Sequence, residues 1–249
     1  MKQATLKDKG VSNMRDKIKD KKYFEDYIED LSDEIMDFEK FLQQIIKEKG
    51  DSFKGVKSGY ETLRFYYLNK IKALYSNGED IEEIKKLYPR ILEYLVQYWK
   101  LGSGIDILIN VISLGVLLNI DDDQIKKITE FLKQQDIDDI IIDFLASKVD
   151  SDWIIKNEDV KYPEIYEVLG NIIKENDEVK QVELLKQYLD EWYHRHDFTA
   201  WHDSHKSKHN TYNGYWSFEA GAIAKALGLD DNSLKDHQYY PYDLVHFKG

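Results

Sequence analysis

Apolar residues recur along this chain at helical spacing, and no stretch alternates apolar and polar as a half-buried strand would. The first long periodic stretch places Phe24, Ile28, Leu31, Ile35, Phe38, Leu42 and Ile45 at steps of four and three. That is one narrow stripe on a helix packed in a bundle, and it predicts a helix from about Asn13 to Lys49 after a loose polar segment, residues 1–12. A second helix carries Leu63, Tyr66, Tyr67, Ile71 and Leu74, from a capping box at Ser58 and Glu61 to Asn77 and Gly78. A third starts at Asp80, with Glu83 placed to reach back, and runs through Leu87 to Trp99. Pro89 removes a backbone donor there and predicts a kink or break. Leu101, Gly102, Ser103 and Gly104 end it. The stretch from Ile105 to Asn119 is apolar almost all round, which predicts the most buried helix of the chain.

Past that point the caps mark the elements. Asp121 with Gln124 opens one helix, and Asp136 with Asp139 opens the next, where acids suit the positive end of the dipole. Pro163 suits the first position of a helix to Lys174, and another spans Asp177 to Tyr193. Near the end, Tyr212, Tyr215, Trp216 and Phe218 crowd around Asn213 and Gly214. A small-residue helix follows, holding Glu219, Ala220, Gly221, Ala222, Ala224 and Ala226, and it stops at Gly228. Asp230 or Asp231 begins a short turn with Ser233, Leu234 and Lys235, before an aromatic tail from Tyr239 to Phe247. The expected fold is all-α, a multi-helix bundle or short α-solenoid-like stack with no significant β-sheet. Two helical halves are expected, residues 13–119 and 120–248, joined without a linker into one continuous stack.

Composition narrows the function. The 249 residues are 42% hydrophobic and 33% charged, with 3 prolines and no cysteine. This is a folded mixture with room for real cores. It excludes a disulfide framework, a zinc–thiolate site and a cysteine nucleophile. The N-terminal residues lack the apolar segment of a signal peptide. The apolar run Ile105–Ile120 is broken by Asp106, Asn110 and Ser113 and is too short for a membrane span. A cytoplasmic protein is expected, with no membrane contact. The net charge of −12 argues against direct nucleic-acid binding. It fits the reverse, a partner that presents a positive groove.

The acids are not spread evenly. Between Tyr23 and Glu39 there are eight acids and no lysine or arginine. Like charges four apart, such as Glu25–Glu29 and Asp33–Asp37, each cost a few tenths of a kcal/mol, about 0.2–0.5. The basic residues Arg15, Lys17, Lys19, Lys21 and Lys22 gather at the N-terminal end, against the dipole. From Asp121 to Asp152 ten acids face four lysines. A solvated face is the plain reading of such runs. The functional reading is an acidic docking surface of Glu25, Glu29, Asp30, Asp33, Glu34 and Asp37, with Asp121, Asp122, Asp138 and Asp139. Asp121–Asp123 lack the central glycine and closing glutamate of a calcium loop, so that site is rejected.

All seven histidines lie after Glu191. His202, His205 and His209 share one face if that stretch is helical, and with Asp203 or His196 they make a candidate metal site. The segment is rich in turn formers and holds no His-Glu-x-x-His pattern, so a polar or structural cluster is the competing reading. Ser204 and Ser217 lack a nucleophile elbow, and no glycine-rich phosphate loop occurs. No cofactor is expected.

The run YWSFEAGAIAKALGLDD, followed by YYPYDLVHF, resembles the C-terminal domain of PoNi-type immunity proteins. The upstream text RDKIKDKKYFEDYIED and RFYYLNKIKALYSNGEDIEEIKKLYPRILEYL resembles their N-terminal helical domain. The resemblance covers the chain from about Met14. It implies a non-enzymatic immunity protein whose partner is a cognate polymorphic nuclease toxin, a DNase delivered to bacterial competitors. Inhibition by an acidic surface blocking the DNA-binding groove, or by binding beside the active site, both suit it. The alternative is a metal-dependent hydrolase using the histidine cluster. Within the motif, Trp216, Phe218 and Leu227 are expected to be core residues, and Glu219 is a structural or interface position. Tyr240, Tyr242, Asp243 and His246 are either closing contacts or part of the docking surface.

Overall fold

Residues 14–100 and 102–249 are described by the computed structural model. The first helix, α1 (Lys21–Lys49), starts later than the periodicity predicts, and the expected start at Asn13 lies outside the described residues. Asp20 caps it, accepting from the Tyr23 amide at 2.9 Å. Ahead of it, residues 14–20 form an arm, because Asp16 claims local donors: its Oδ1 accepts from the amides of Ile18 at 2.7 Å and Lys19 at 2.9 Å. The amides of Arg15 and Asp16 bond to the Ser76 carbonyl at 3.0 and 3.2 Å. The Arg15 guanidinium spans the carbonyls of Tyr75 and Glu79 at 3.1 and 3.0 Å and the Asp243 carboxylate at 2.6 Å. Arg15, Lys17 and Lys19 therefore stand off the helix, and only Lys21 and Lys22 oppose its dipole.

The second helix, α2 (Lys54–Ser76), folds back on α1. It begins before the expected capping box: Phe53 is the N-cap, without a side-chain bond, and Ser58 and Glu61 are exposed positions inside the helix. Starting early lets Val56 and Gly59 join the buried face against α1. As expected, α2 ends at Asn77, and Asp80 caps a short α3 (Ile81–Lys85). Glu83 does not reach back but pairs with Lys86 at 2.6 Å. The chain breaks where Pro89 requires, and α4 (Tyr88–Tyr98) follows with the proline in its first turn.

The axis of the fold is α5 (Ile105–Leu118), which is buried along almost its whole length and carries no ordinary polar face. Asp121 caps α6 (Asp122–Lys133) through the Gln124 amide at 2.9 Å. Asp139 alone, not Asp136, caps α7 (Ile140–Val149). Then come α8 (Pro163–Lys174), α9 (Glu178–Arg195), α10 (Phe218–Leu227) and α11 (Tyr242–Val245), with single 3₁₀ turns at Ser204–Lys206 and Asn232–Leu234. No strand occurs among the described residues, so the fold is all-α. Helix α5 packs against α4, α7, α10 and α11, so helices from before and after it in the chain meet on it. Gly221 lets the tail close over α10: a Cβ there would stand 2.6 Å from Cγ of Pro241. Gly228 takes the left-handed C-cap at φ 69°. No described helix is long and apolar enough to cross a membrane.

Candidate functional site

Because Phe24, Tyr27, Leu31, Ile35 and Leu42 turn α1 onto its neighbours, its acids face outward. Glu25, Glu29, Asp30, Asp33, Glu34 and Asp37 are all exposed. Lys21 lies 3.9 Å from Glu25, and Lys40 lies 3.3 Å from Asp37. Glu29, Asp30, Asp33 and Glu34 make no ion pair among the described residues, which leaves an uncompensated negative strip. The eighth acid of the run, Glu39, turns inward. Its Oε1 accepts from Tyr94 at 2.6 Å, Tyr67 at 2.9 Å and Arg90 at 3.2 Å. Those donors tie α1 to α2 and α4.

The sequence reading missed the apolar neighbour of this strip. Phe41 and Phe65 are 57% and 50% exposed, far more than core phenylalanines. Ring contacts join them through Phe38 and Tyr66: Phe38–Phe41 and Phe38–Tyr66 at 6.1 Å, and Phe65–Tyr66 at 6.3 Å. Met36 is also exposed on α1. Phe41 falls outside the stripe of fours and threes, and that offset is the signal that marks it as outward-facing.

The second acidic group divides. Asp121, Asp122 and Asp138 are exposed. Asp139 is fully buried and is not a surface residue. It accepts from the amides of Ile141 at 2.9 Å, Ile142 at 3.1 Å and Lys161 at 2.8 Å, fixing the loop before α8 to the start of α7. Burial pushes its carboxyl above the ordinary Asp range, while these three donors pull it back. In packing order α2 and α4 stand between α1 and α6, so the two acidic groups occupy different parts of the surface.

The C-terminal motif is mostly interior. Trp216, Phe218, Glu219 and Tyr240 are buried, while Leu227, expected in the core, is only half-buried at the end of α10. Glu219 Oε1 accepts from Trp192 Nε1 at 2.6 Å, Ser217 Oγ at 2.7 Å and Tyr188 Oη at 2.8 Å. Tyr240 donates to Asp231 at 2.6 Å. Tyr242 is half-buried and stacks on His246 at 4.0 Å, and His246 lies 3.3 Å from Asp231. Asp243 is exposed and holds Arg15. Every one of these residues has a partner within the chain.

The histidines do not assemble. The stretch forms only the 3₁₀ turn, and Asp203 enters it at φ 60°, so His202, His205 and His209 share no helix face. His202 packs on Tyr193 at 4.1 Å, His205 Nδ1 meets Tyr215 Oη at 2.8 Å, and His209 points to solvent. Among the described residues no group of three or more His, Cys, Asp or Glu is placed to hold a metal ion.

Residues 15–130 match the family model described as PoNe immunity protein (PoNi), N-terminal, and residues 137–244 match that for the C-terminal part. The chain belongs to the PoNi family of immunity proteins. No curated protein matches it. Its fold is similar to that of protein PA2201 from Pseudomonas aeruginosa, known from a crystal structure, with a TM-score of 0.68 at 18% identity. The likeness covers 95% of this chain and 90% of that one.

Proposed function

We propose that this chain is the antidote to a DNA-cleaving toxin and that α1 is the surface it presents. The observation that carries the reading is the exposed, unpaired acidic strip of Glu29, Asp30, Asp33 and Glu34, lying on the same helix as the exposed ring of Phe41, with the exposed Phe65 on α2. An enzyme that cuts DNA holds phosphates with clustered lysine and arginine. Such a groove attracts an acidic helix through its field, which speeds encounter and sets register. The rings supply what charge alone does not, an apolar anchor whose burial slows dissociation. Seated this way, α1 fills the groove and keeps DNA out by volume and by charge. Asp121, Asp122 and Asp138 add to the field that orients the approach. The protein acts in the cytoplasm, where the DNA at risk is.

The test is titration of the purified chain against its cognate nuclease, followed by plasmid cleavage. Suppression complete near an equimolar ratio is expected, with no cutting by the chain alone. Undiminished cleavage, or divalent-metal-dependent cutting by this chain itself, overturns the reading.

A further inference from the structure

A cavity of about 440 Å³ opens among α2, α5, α8, α9, α10 and the segment 196–216, and none of its lining residues belongs to α1. That size lies within the range of small-molecule sites, roughly 300–1,000 Å³. Its inner wall is aromatic, formed by Tyr166, Trp192, Trp201 and Trp216, while the exposed Tyr162 and Phe198 stand at its mouth.

The polar groups in this wall are unequal. Glu219 Oε1 is already occupied by its three donors, and Asp106 and Glu164 are the other acids of the lining. His196 Nδ1 donates to the Trp192 carbonyl at 2.7 Å, which leaves Nε2 as an acceptor. Lys72 projects from α2 and makes no hydrogen bond or ion pair among the described residues, not even with Glu219. The Trp201 indole N–H and the Tyr166 hydroxyl are also without partners among the described residues. All three residues line the cavity. Three donors, one of them an ammonium, thus line an aromatic chamber, and none of them bonds to its acceptors, His196 Nε2, Glu219 Oε2 and the side chains of Asp106 and Asn110. Burial holds the Lys72 ammonium down to about 8; Arg64 adds to this, and the charges of Glu219 and Asp106 oppose it. A protein side chain in that state gains most from an anion that enters with it.

We propose that this cavity binds a small carboxylate with a flat apolar body. The carboxylate sits on Lys72, and the body lies against Trp192, Trp201 and Tyr166. This site is separate from the α1 surface and does not depend on it.

The test uses the full chain with three probes, phenylacetate, indole-3-acetate and 2-naphthoate, by titration calorimetry and thermal unfolding. Indole and tryptamine supply the neutral and cationic counterparts. At least one carboxylate is expected to bind one-to-one and raise the melting temperature, about tenfold or more tighter than indole. Tryptamine is expected to bind more weakly still. Lys72→Met keeps the stem and removes the charge. It should melt at or above the wild-type temperature and lose about tenfold or more in carboxylate affinity while indole binding is unchanged. Failure of all three carboxylates, equal binding of tryptamine, or carboxylate binding unchanged in Lys72→Met each overturns the proposal.

Discussion

Trp216 Nε1 donates to Ser76 Oγ at 2.9 Å, joining the C-terminal motif to the last turn of α2 across 140 positions of sequence. Ser76 Oγ in turn donates to the Asn213 carbonyl at 3.0 Å, and the Trp216 ring meets Tyr75 edge-on at 4.8 Å. Trp216 is an interior strut between the two halves of the chain. Trp216→Ala is therefore expected to destabilise the fold by about 3–5 kcal/mol, the usual cost of deleting a buried large aromatic. Denaturant unfolding measures it. A variant that unfolds like the wild type but fails to bind toxin would make Trp216 an interface anchor instead.

Glu219 gives a sharper contrast. Glu219→Ala strands the donors of Tyr188, Trp192 and Ser217 in the core, at about 1–3 kcal/mol for each group left unsatisfied. Glu219→Gln keeps one carbonyl acceptor and is expected to lose less than half as much. Parallel urea melts of the two variants check the order, and equal losses would mean that shape, not hydrogen bonding, dominates there.

Alkaline pH should unfold this protein through its tyrosines. Burial pushes Tyr23 up to about 12 and raises Tyr75 and Tyr88 further. A folded pKa above the unfolded value of 10.0 keeps protons on the native state while the unfolded state sheds them, so stability falls as pH rises past 10. Lys225, held down to about 8 by burial and the nearby Lys85, acts in the opposite sense: the unfolded chain binds the extra proton, and stability rises between about 8 and 10.5. A shallow maximum just below pH 10 and a steep loss above it are expected. Tyrosinate absorbance should then appear in step with loss of helical circular dichroism. Ionisation of most tyrosines near pH 10 in a still-helical protein would refute this.

On α1, Glu29→Lys, Asp33→Lys and Asp37→Lys together should leave helix content intact and slow association with the nuclease. Raising salt should slow the wild type and narrow the gap between the two. Phe41→Ser with Phe65→Ser should act instead on dissociation, weakening affinity by about 2 kcal/mol or more, the scale of an interface hot spot. Both rings are half-exposed, so the variant is expected to melt as the wild type does. Surface-plasmon kinetics separate the two effects, and rates indifferent to both sets of changes would move the interface elsewhere.

The helix plan was legible wherever the signal was local. Pro89, Asp80, Asp121, Pro163, Asp177 and Gly228 mark their elements through neighbours a few positions away, and the structure uses each as expected. Several misreadings share one cause, a partner distant in sequence. Asp16 and Arg15 look like the start of a charged helix until Ser76, Tyr212 and Asp243 claim them. Glu39 and Asp139 look like two more surface acids, but donors from Tyr67, Tyr94 and Arg90, and from the Lys161 amide, draw them inside. The exposed rings were missed for another reason: only the apolar stripes were read, and Phe41 and Phe65 lie off them.

The arm ahead of α1 has a consequence in time. Tyr212 donates to Asp16, the Tyr23 hydroxyl donates to the Tyr212 carbonyl at 2.9 Å, and Asp243 closes on Arg15. On a ribosome the arm and α1 emerge first, but these clasps need residues made almost 200 and 230 positions later. The helices can form as they appear, yet the two ends are stitched only after the last helix has left the tunnel. A nascent chain that has not yet exposed Tyr212 and Asp243 therefore carries its early helices without the clasps that hold the arm in place.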